Sequence, residues 1–345
     1  MKTKPVLSVI VVILIAVQPA FAWNAHGHRV IASIAFLRLD PDRRLEIANR
    51  IRKHPRWEQD FAAKMPDVIK NGGEQIQAEW IFQQAAVWPD MPRGFRGEDR
   101  KNYHHPTWHY VNYPAFLNPS DKAALGDLNI NLGKKPPKEQ TENMNVIQAI
   151  NFSKLRIDGA IKVSPEEEAL MWCWFFHCYA DLHQPLHTTA MFSKTLLPKG
   201  CRGGNSIKTK QSGNLHSLWD GLLGKDNKYQ TCHNQAEKMF DEVFLKSDLS
   251  ILTLENGRAS DANSMFSAIR SRSQKLPDHV ASESHSRCKS LVYSQEIRLH
   301  LERLEDAGES KVAEIELTDA YLKNAGRVAR DQANKAGWRL GELLK

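Results

Sequence analysis

The sequence predicts an all-α, multi-helical single domain. Apolar residues recur at helical spacing along most of the chain, and no alternating apolar and polar run makes a convincing strand. No repeat of solenoid period and no dominant low-complexity tract disturbs that pattern. The 345 residues suffice for a large core in one domain or two. The polar stretch at 126–142, with its glycines and prolines, is the candidate boundary. It reads as an internal loop, because possible ligands lie on both sides of it.

The amino terminus reads as an export signal. Lys2 and Lys4 precede an almost unbroken apolar run from Val6 to Val17, and Ala20-Phe21-Ala22 supplies the small-x-small pattern that signal peptidase accepts. The run is nearer the length of a signal's apolar region than the roughly 20 residues of a spanning helix. Residues 1–22 are therefore expected to be removed, leaving a secreted or periplasmic chain at 23–345 with no stable membrane association. Loss of two lysines takes the formal charge of +7 to about +5, still basic, which suits an acidic partner without naming one. An exported chain can also oxidise cysteines to a disulfide bond. The five here (Cys173, Cys178, Cys201, Cys232 and Cys288) leave at least one unpaired, and their pairing is not readable from sequence.

Helices are expected at 27–38, 42–53, 142–158, 165–182, 234–246, 260–275, 285–305 and 318–344. The best-marked start is Ser164-Pro165-Glu166-Glu167, where serine can cap, proline fits the first turn and glutamate completes a capping box. The "ALMWCWFFHCYADLH" that follows is apolar almost all round, as a helix at the centre of a domain must be. His177 and Asp181 are the exceptions on it, and buried polar groups need partners. The cationic, glycine-rich stretch at 198–214 reads as a loop or a short hairpin.

His177 and Asp181 are four residues apart, so a helix puts both on one face. "NLHSLWD" repeats the spacing with His216 and Asp220. Between the pairs, Pro185 should end the central helix and return His187 toward the same place. Imidazole and carboxylate are good zinc ligands. Two such pairs with an intervening histidine, one pair on a helix too apolar to be exposed, are better explained by a metal cluster than by chance.

The segments "AVWPD", "WHYVN", "HCYADLHQPLH", "GGN" and "NLHSLWD", with a Trp five residues before a His at the expected mature terminus, resemble the zinc-dependent single-strand-specific nucleases of fungi and plants. That family shares a helical fold with zinc phospholipase C. The resemblance implies three Zn²⁺: one held by Asp90, His109, His177 and Asp181, a second by His187, His216 and Asp220, and a third by the Trp23 amino and carbonyl groups, His28 and a bridging Asp181. It casts Asp90 and Asp181 as catalytic, and it leaves His26, His54, His104, His105, His183, His233, His279, His285 and His300 without a ligand role.

Three zinc ions and three aspartates sum to about +3, a charge that attracts a phosphodiester. The implied reaction is hydroxide attack on phosphorus in single-stranded RNA and DNA, giving 5′-phosphate products, with nucleotides as further substrates and a monomer as the working form. The resemblance also places Arg93 at the phosphate, Tyr110 under a stacked base, and Asn112 and Asn205 near the substrate. Asn112 departs from members that carry aspartate there. A zinc phospholipase C or a non-catalytic zinc-binding exported protein are the alternatives. Three aspartates and no four-cysteine set argue against the second of these.

Overall fold

The computed structural model describes residues 23–254 and 276–345. The expected signal at 1–22 and the expected helix at 260–275 lie outside the described residues. In chain order the main helices are α1 (Ala25–Leu37), α2 (Pro41–Ile51), α3 (Glu74–Val87), α4 (Val146–Ile157), α5 (Pro165–Asp181), α6 (Leu215–Asp220), α7 (Tyr229–Leu254), α8 (Leu276–Arg287), α9 (Gln295–Asp306) and α10 (Asp319–Leu344). Two four-residue strands, β1 (Tyr113–Phe116) and β2 (Thr189–Phe192), pair in parallel. The fold is therefore all-α and multi-helical.

α5 is the axis. Ser164 caps it by accepting from the Glu167 amide at 3.2 Å. The reciprocal half of the expected capping box is absent, because the Glu167 carboxylate accepts from Arg156 of α4 at 3.0 Å. Every residue from Met171 to Asp181 is buried, which agrees with the all-round apolar character of this helix. α3 and α4 pack on it, and α2 joins them in the largest core cluster. A second cluster surrounds Trp219, Tyr293 and Tyr321, and a third joins Trp23 and α1 to α7 and α10.

α1 and α10 come unusually close. A Cβ on Gly337 would lie 2.5 Å from the Ile34 side chain, and one on Gly341 would lie 2.5 Å from Arg38. Only glycine at these two positions lets the backbones approach that far. The contact holds α1, and with it His28, against the centre of the molecule.

Three readings of the sequence need correction. α3 is a full helix where none was expected. The expected single helix at 285–305 is broken into α8, a π-turn at Cys288–Val292, and α9. Tyr293 causes the break: its buried hydroxyl donates to the Thr189 carbonyl at 3.2 Å and meets Cys201 Sγ at 3.0 Å, which draws the chain inward. The third concerns the cysteines, all five of which are buried and free, so no disulfide forms. Each thiol has a different neighbour, since Cys178 donates to the Trp108 carbonyl, Cys201 accepts from the Met191 and Gly204 amides, and Cys232 lies against His26.

The stretch at 126–142 is stitched to α4. Asn145 donates to the carbonyls of Asn131 and Gly133, and Arg156 donates to that of Lys138. The stretch at 198–214 is a series of turns instead of a hairpin, with one isolated bridge between Thr209 and Ile315.

Candidate metal centre

Each expected ligand has a local reason for its position. α5 ends at Asp181, and the turn Pro185–His187 brings His187 back beside it, His187 Nδ1 lying 3.8 Å from Asp181 Oδ2. The β1–β2 ladder then fixes His109 against His187. The His187 ring donates from Nδ1 to the His109 carbonyl at 2.6 Å, and the Val111 amide donates to the His187 carbonyl at 2.8 Å.

Asn24 caps α1, which carries His28 inward, while the Trp23 indole donates to the Ala180 carbonyl at 3.1 Å. The Asn24 amide donates to the Asp220 carbonyl at 3.2 Å. The segment at 23–28 is thus anchored to the residue before Asp181 and to Asp220 itself.

The side chains converge. His177 Nε2 lies 2.9 Å from His109 Nδ1, and both lie 3.2 Å from Asp181 Oδ2. His28 Nε2 stands 3.3 Å from Asp181 Oδ1, and the Nε2 atoms of His187 and His216 are 3.1 Å apart. Three groups have ligand atoms close enough to share an ion: His28, Asp90 and His177; His109, His177 and Asp181; and His187, His216 and Asp220. The last has the same residues as the second set implied by the resemblance, whereas the middle one lacks the Asp90 that the resemblance placed there. His28 also gathers with Asp90 and His177, although the resemblance paired it with Trp23 and Asp181.

Buried polar atoms without partners test whether cations fit. His28 Nδ1 and Nε2, Asp90 Oδ1, Asp181 Oδ1 and Asp220 Oδ2 are all buried with no hydrogen bond. Such groups are rare in folded proteins, because each costs desolvation with nothing in return. Several in one place, on imidazole and carboxylate alone, make a donor set that suits zinc.

The supporting hydrogen bonds point the same way. His177, His187 and His216 each donate from Nδ1 to a backbone carbonyl, those of Ala86, His109 and Gly203 respectively. That fixes the tautomer with Nε2 free to coordinate. Gly203 has φ +58 and no room for a Cβ, which would lie 2.5 Å from the Leu186 carbonyl oxygen.

Burial pushes the imidazoles of His28, His109 and His187 well down from their ordinary range, so they are neutral donors. Burial likewise raises the Asp90 and Asp220 carboxyls and carries Asp181 up to about 7. It also opposes charge on His177, but Asp181 and Asp90 outweigh it and raise that imidazole to about 9. Burial thus disfavours charge on these carboxyls, and a cation bound among them would offset that cost.

Around the centre, Tyr110 is exposed directly beside His109. Asn112 is half-buried. Arg93 Nη2 lies 3.8 Å from Asp90 Oδ1. Asn205 closes its own turn, with its side-chain amide on the Arg202 carbonyl at 2.7 Å. His26 faces away and meets the Asp226 carbonyl and Gln235.

Sequence reading missed Gln184, fully buried, which donates to Asp220 Oδ1 at 2.7 Å while its own oxygen accepts from the Leu186 amide at 2.6 Å. Its place inside "DLHQPLH", between two ligands, was the available signal.

An all-α fold closed around buried histidines and aspartates is an arrangement that could hold metal ions, as metal-dependent hydrolases do. Within that class, the S1/P1 nuclease family model matches residues 23–345, and the chain belongs to this family. Its members are zinc-dependent nucleases with the zinc phospholipase C-like helical fold, so the chain is a nuclease acting on nucleic acid. A search of curated proteins finds no match.

Proposed function

We propose that this protein is an exported endonuclease that uses three zinc ions to hydrolyse single-stranded RNA and DNA to 5′-phosphate products, and that it also removes 3′ phosphate from nucleotides. The observation that carries the proposal is the set of buried imidazole and carboxylate atoms without partners, found in a chain of the S1/P1 family. His28, Asp90, His109, His177, Asp181, His187, His216 and Asp220 hold the ions, together with the backbone of Trp23. Zinc bound there supplies positive charge for the phosphodiester and a water activated near neutral pH.

The chain's own residues do the remaining work. Asp181, within 3.3 Å of three histidines, links the ligand groups into one centre. Arg93, beside Asp90, meets a phosphate oxygen. Exposed Tyr110 supplies a π-face on which any base can stack, and Asn112 offers a donor and an acceptor to the base edge. Asn205 contributes through its turn.

Cleavage after Ala22 belongs to the same proposal, because only then is the Trp23 nitrogen an amine able to bind metal. Residues 23–345 then form one domain, active as a monomer. No helix among the described residues is long and apolar enough to cross a membrane.

The test is a parallel assay on single-stranded DNA, single-stranded RNA and phosphatidylcholine, with and without a chelator. Chelator-sensitive cleavage of both nucleic acids is expected, and lipid hydrolysis alone would overturn the reading. Asp181→Asn should abolish activity while the protein stays folded, and full activity in that variant would refute the linked centre.

A further inference from the structure

The loop that orients His216 has a second face. On one side, the Gly203 carbonyl accepts from His216 Nδ1 at 2.6 Å. On the other, Gly200 and Ser206 line a cavity of about 360 Å³. The Ser206 amide donates to the Cys201 carbonyl at 3.0 Å, so the loop is a closed turn that joins the two faces rigidly.

Lys199, Lys208, Lys311 and Ser310 complete the polar lining. The three lysines come from two distant parts of the chain. The bridge that joins them is short: the Lys210 amide donates to the Ile315 carbonyl and the Ile315 amide to the Lys208 carbonyl, both at 3.0 Å.

No carboxylate lines this cavity. Glu305 accepts from Ser193 and from the Thr195 and Leu196 amides and Glu316 pairs with Lys210 at 2.6 Å, while the exposed Glu309 and Glu314 flank the Ser310–Val312 edge in sequence. Lys199, Lys208 and Lys311 are exposed and have no ion pair among the described residues. Arg202, exposed and directly before Gly203 in the same turn, is held at φ 54, a left-handed conformation that costs a non-glycine residue roughly 1 kcal/mol or more.

Three lysines and two serines lining one concave site supply the charge and donors that a phosphate needs. Gly203 and Ser206 are three residues apart, so the cavity wall lies within about 11 Å of the residue that orients His216. A strand lying across the metal centre is a chain of phosphates, and such chains are held by cationic grooves beside the reacting bond.

We propose that the Lys199–Lys208–Lys311 cavity is a phosphate subsite that binds the backbone of a single strand next to the bond being cut. The proposal rests on the nuclease reading for its ligand. It predicts that long strands bind more tightly than dinucleotides and that the difference is salt-sensitive.

The experiment measures binding of a labelled oligothymidylate of about 20 nucleotides to the exported protein in chelator, across a range of salt, by fluorescence anisotropy. Three proteins are compared: wild type, the triple variant Lys199→Gln, Lys208→Gln, Lys311→Gln, and a charge-matched control, Lys53→Gln, Lys64→Gln, Lys162→Gln. Losing three phosphate contacts should weaken binding about tenfold and lower the slope of log Kd against log salt by about 2. The control should move neither. An unchanged slope in the cavity variant, or an equal change in the control, overturns the proposal.

Dinucleotide cleavage with zinc is assayed alongside and should be equal in wild type and the cavity variant. Loss of that cleavage in the variant also counts against a separate subsite. Failure of the zinc-loaded wild type to cut long single-stranded DNA and RNA sinks the nuclease reading instead, while the metal-free binding result still decides whether the cavity holds a strand.

Discussion

Asp220 keeps its orientation because Gln184 donates to one of its oxygens, and Gln184 keeps its own because the Leu186 amide donates back. Replacing Gln184 with leucine leaves the carboxylate free to turn away from His187 and His216. Partners of this kind typically contribute tenfold to a hundredfold in metal affinity. Gln184→Leu should therefore release one zinc to a chromogenic chelator at a concentration ten to a hundred times lower than wild type does, with its circular dichroism unchanged. Identical chelator titrations for the two proteins would dismiss the role. Five of the expected ligands were legible from spacing, because two His-x-x-x-Asp pairs and a proline-turned histidine bring donor atoms together by simple helix geometry, whereas Trp23, His28, Asp90 and His109 follow no such rule and came only from the family resemblance. Gln184 and the three backbone carbonyls were not legible, because a hydrogen-bond partner of a ligand follows no spacing rule. The Asn205 side chain is spent on its turn in the same unreadable way.

Helices announce themselves in sequence when one side is apolar and the other is not. α5 was legible for the opposite reason, being apolar all round, and its cap was plain. α3 failed both tests: Glu79, Gln83 and Gln84 are buried together with Trp80, Ile81 and Phe82, so no polar face marks its period. Glu79 and Gln84 are satisfied from far along the chain, Glu79 by Ser33, Tyr229 and His233, and Gln84 by Arg29. The break before α9 was hidden likewise, since the pull on Tyr293 comes from Thr189 and Cys201. α10 was legible, but its two classes of glycine were not. Gly337 lies against Ile34, whereas Gly326 has nothing within 4 Å of where a Cβ would stand. Gly337→Ala should thus destabilise by about 1–3 kcal/mol through overpacking. Gly326→Ala should stabilise by about 0.5–1 kcal/mol, because alanine loses less backbone entropy in a helix. Urea midpoints of the two variants should move in opposite directions, and a shift of the same sign in both would refute the close approach of α1 and α10.

At the scale of the whole molecule, the three apolar clusters surround a centre that is unfavourable by itself. Asp90, Asp181 and Asp220 are 9%, 0% and 2% exposed, and each has an oxygen without a donor. Burial raises all three carboxyls, the sign of groups whose charge the fold disfavours. A cation bound there would therefore add to the stability of the fold. Metal that binds only the folded state adds RT ln(1 + [L]/Kd), about 4 kcal/mol when free zinc is a thousand times Kd. Asp220→Asn separates the two contributions, since it removes a buried charge and a zinc ligand together. With chelator present, the asparagine keeps an acceptor for Gln184 and turns a donor toward His216 Nε2, which lies 3.6 Å from Asp220 Oδ2. That ring already donates from Nδ1, so its Nε2 can accept. The metal-free variant should accordingly melt at a higher temperature than metal-free wild type. With zinc added the order should reverse, because wild type gains stability from an ion that the variant holds weakly. The measurement is four melting curves, and a variant that is less stable in both conditions would show that Asp220 supports the fold directly instead of through a bound cation.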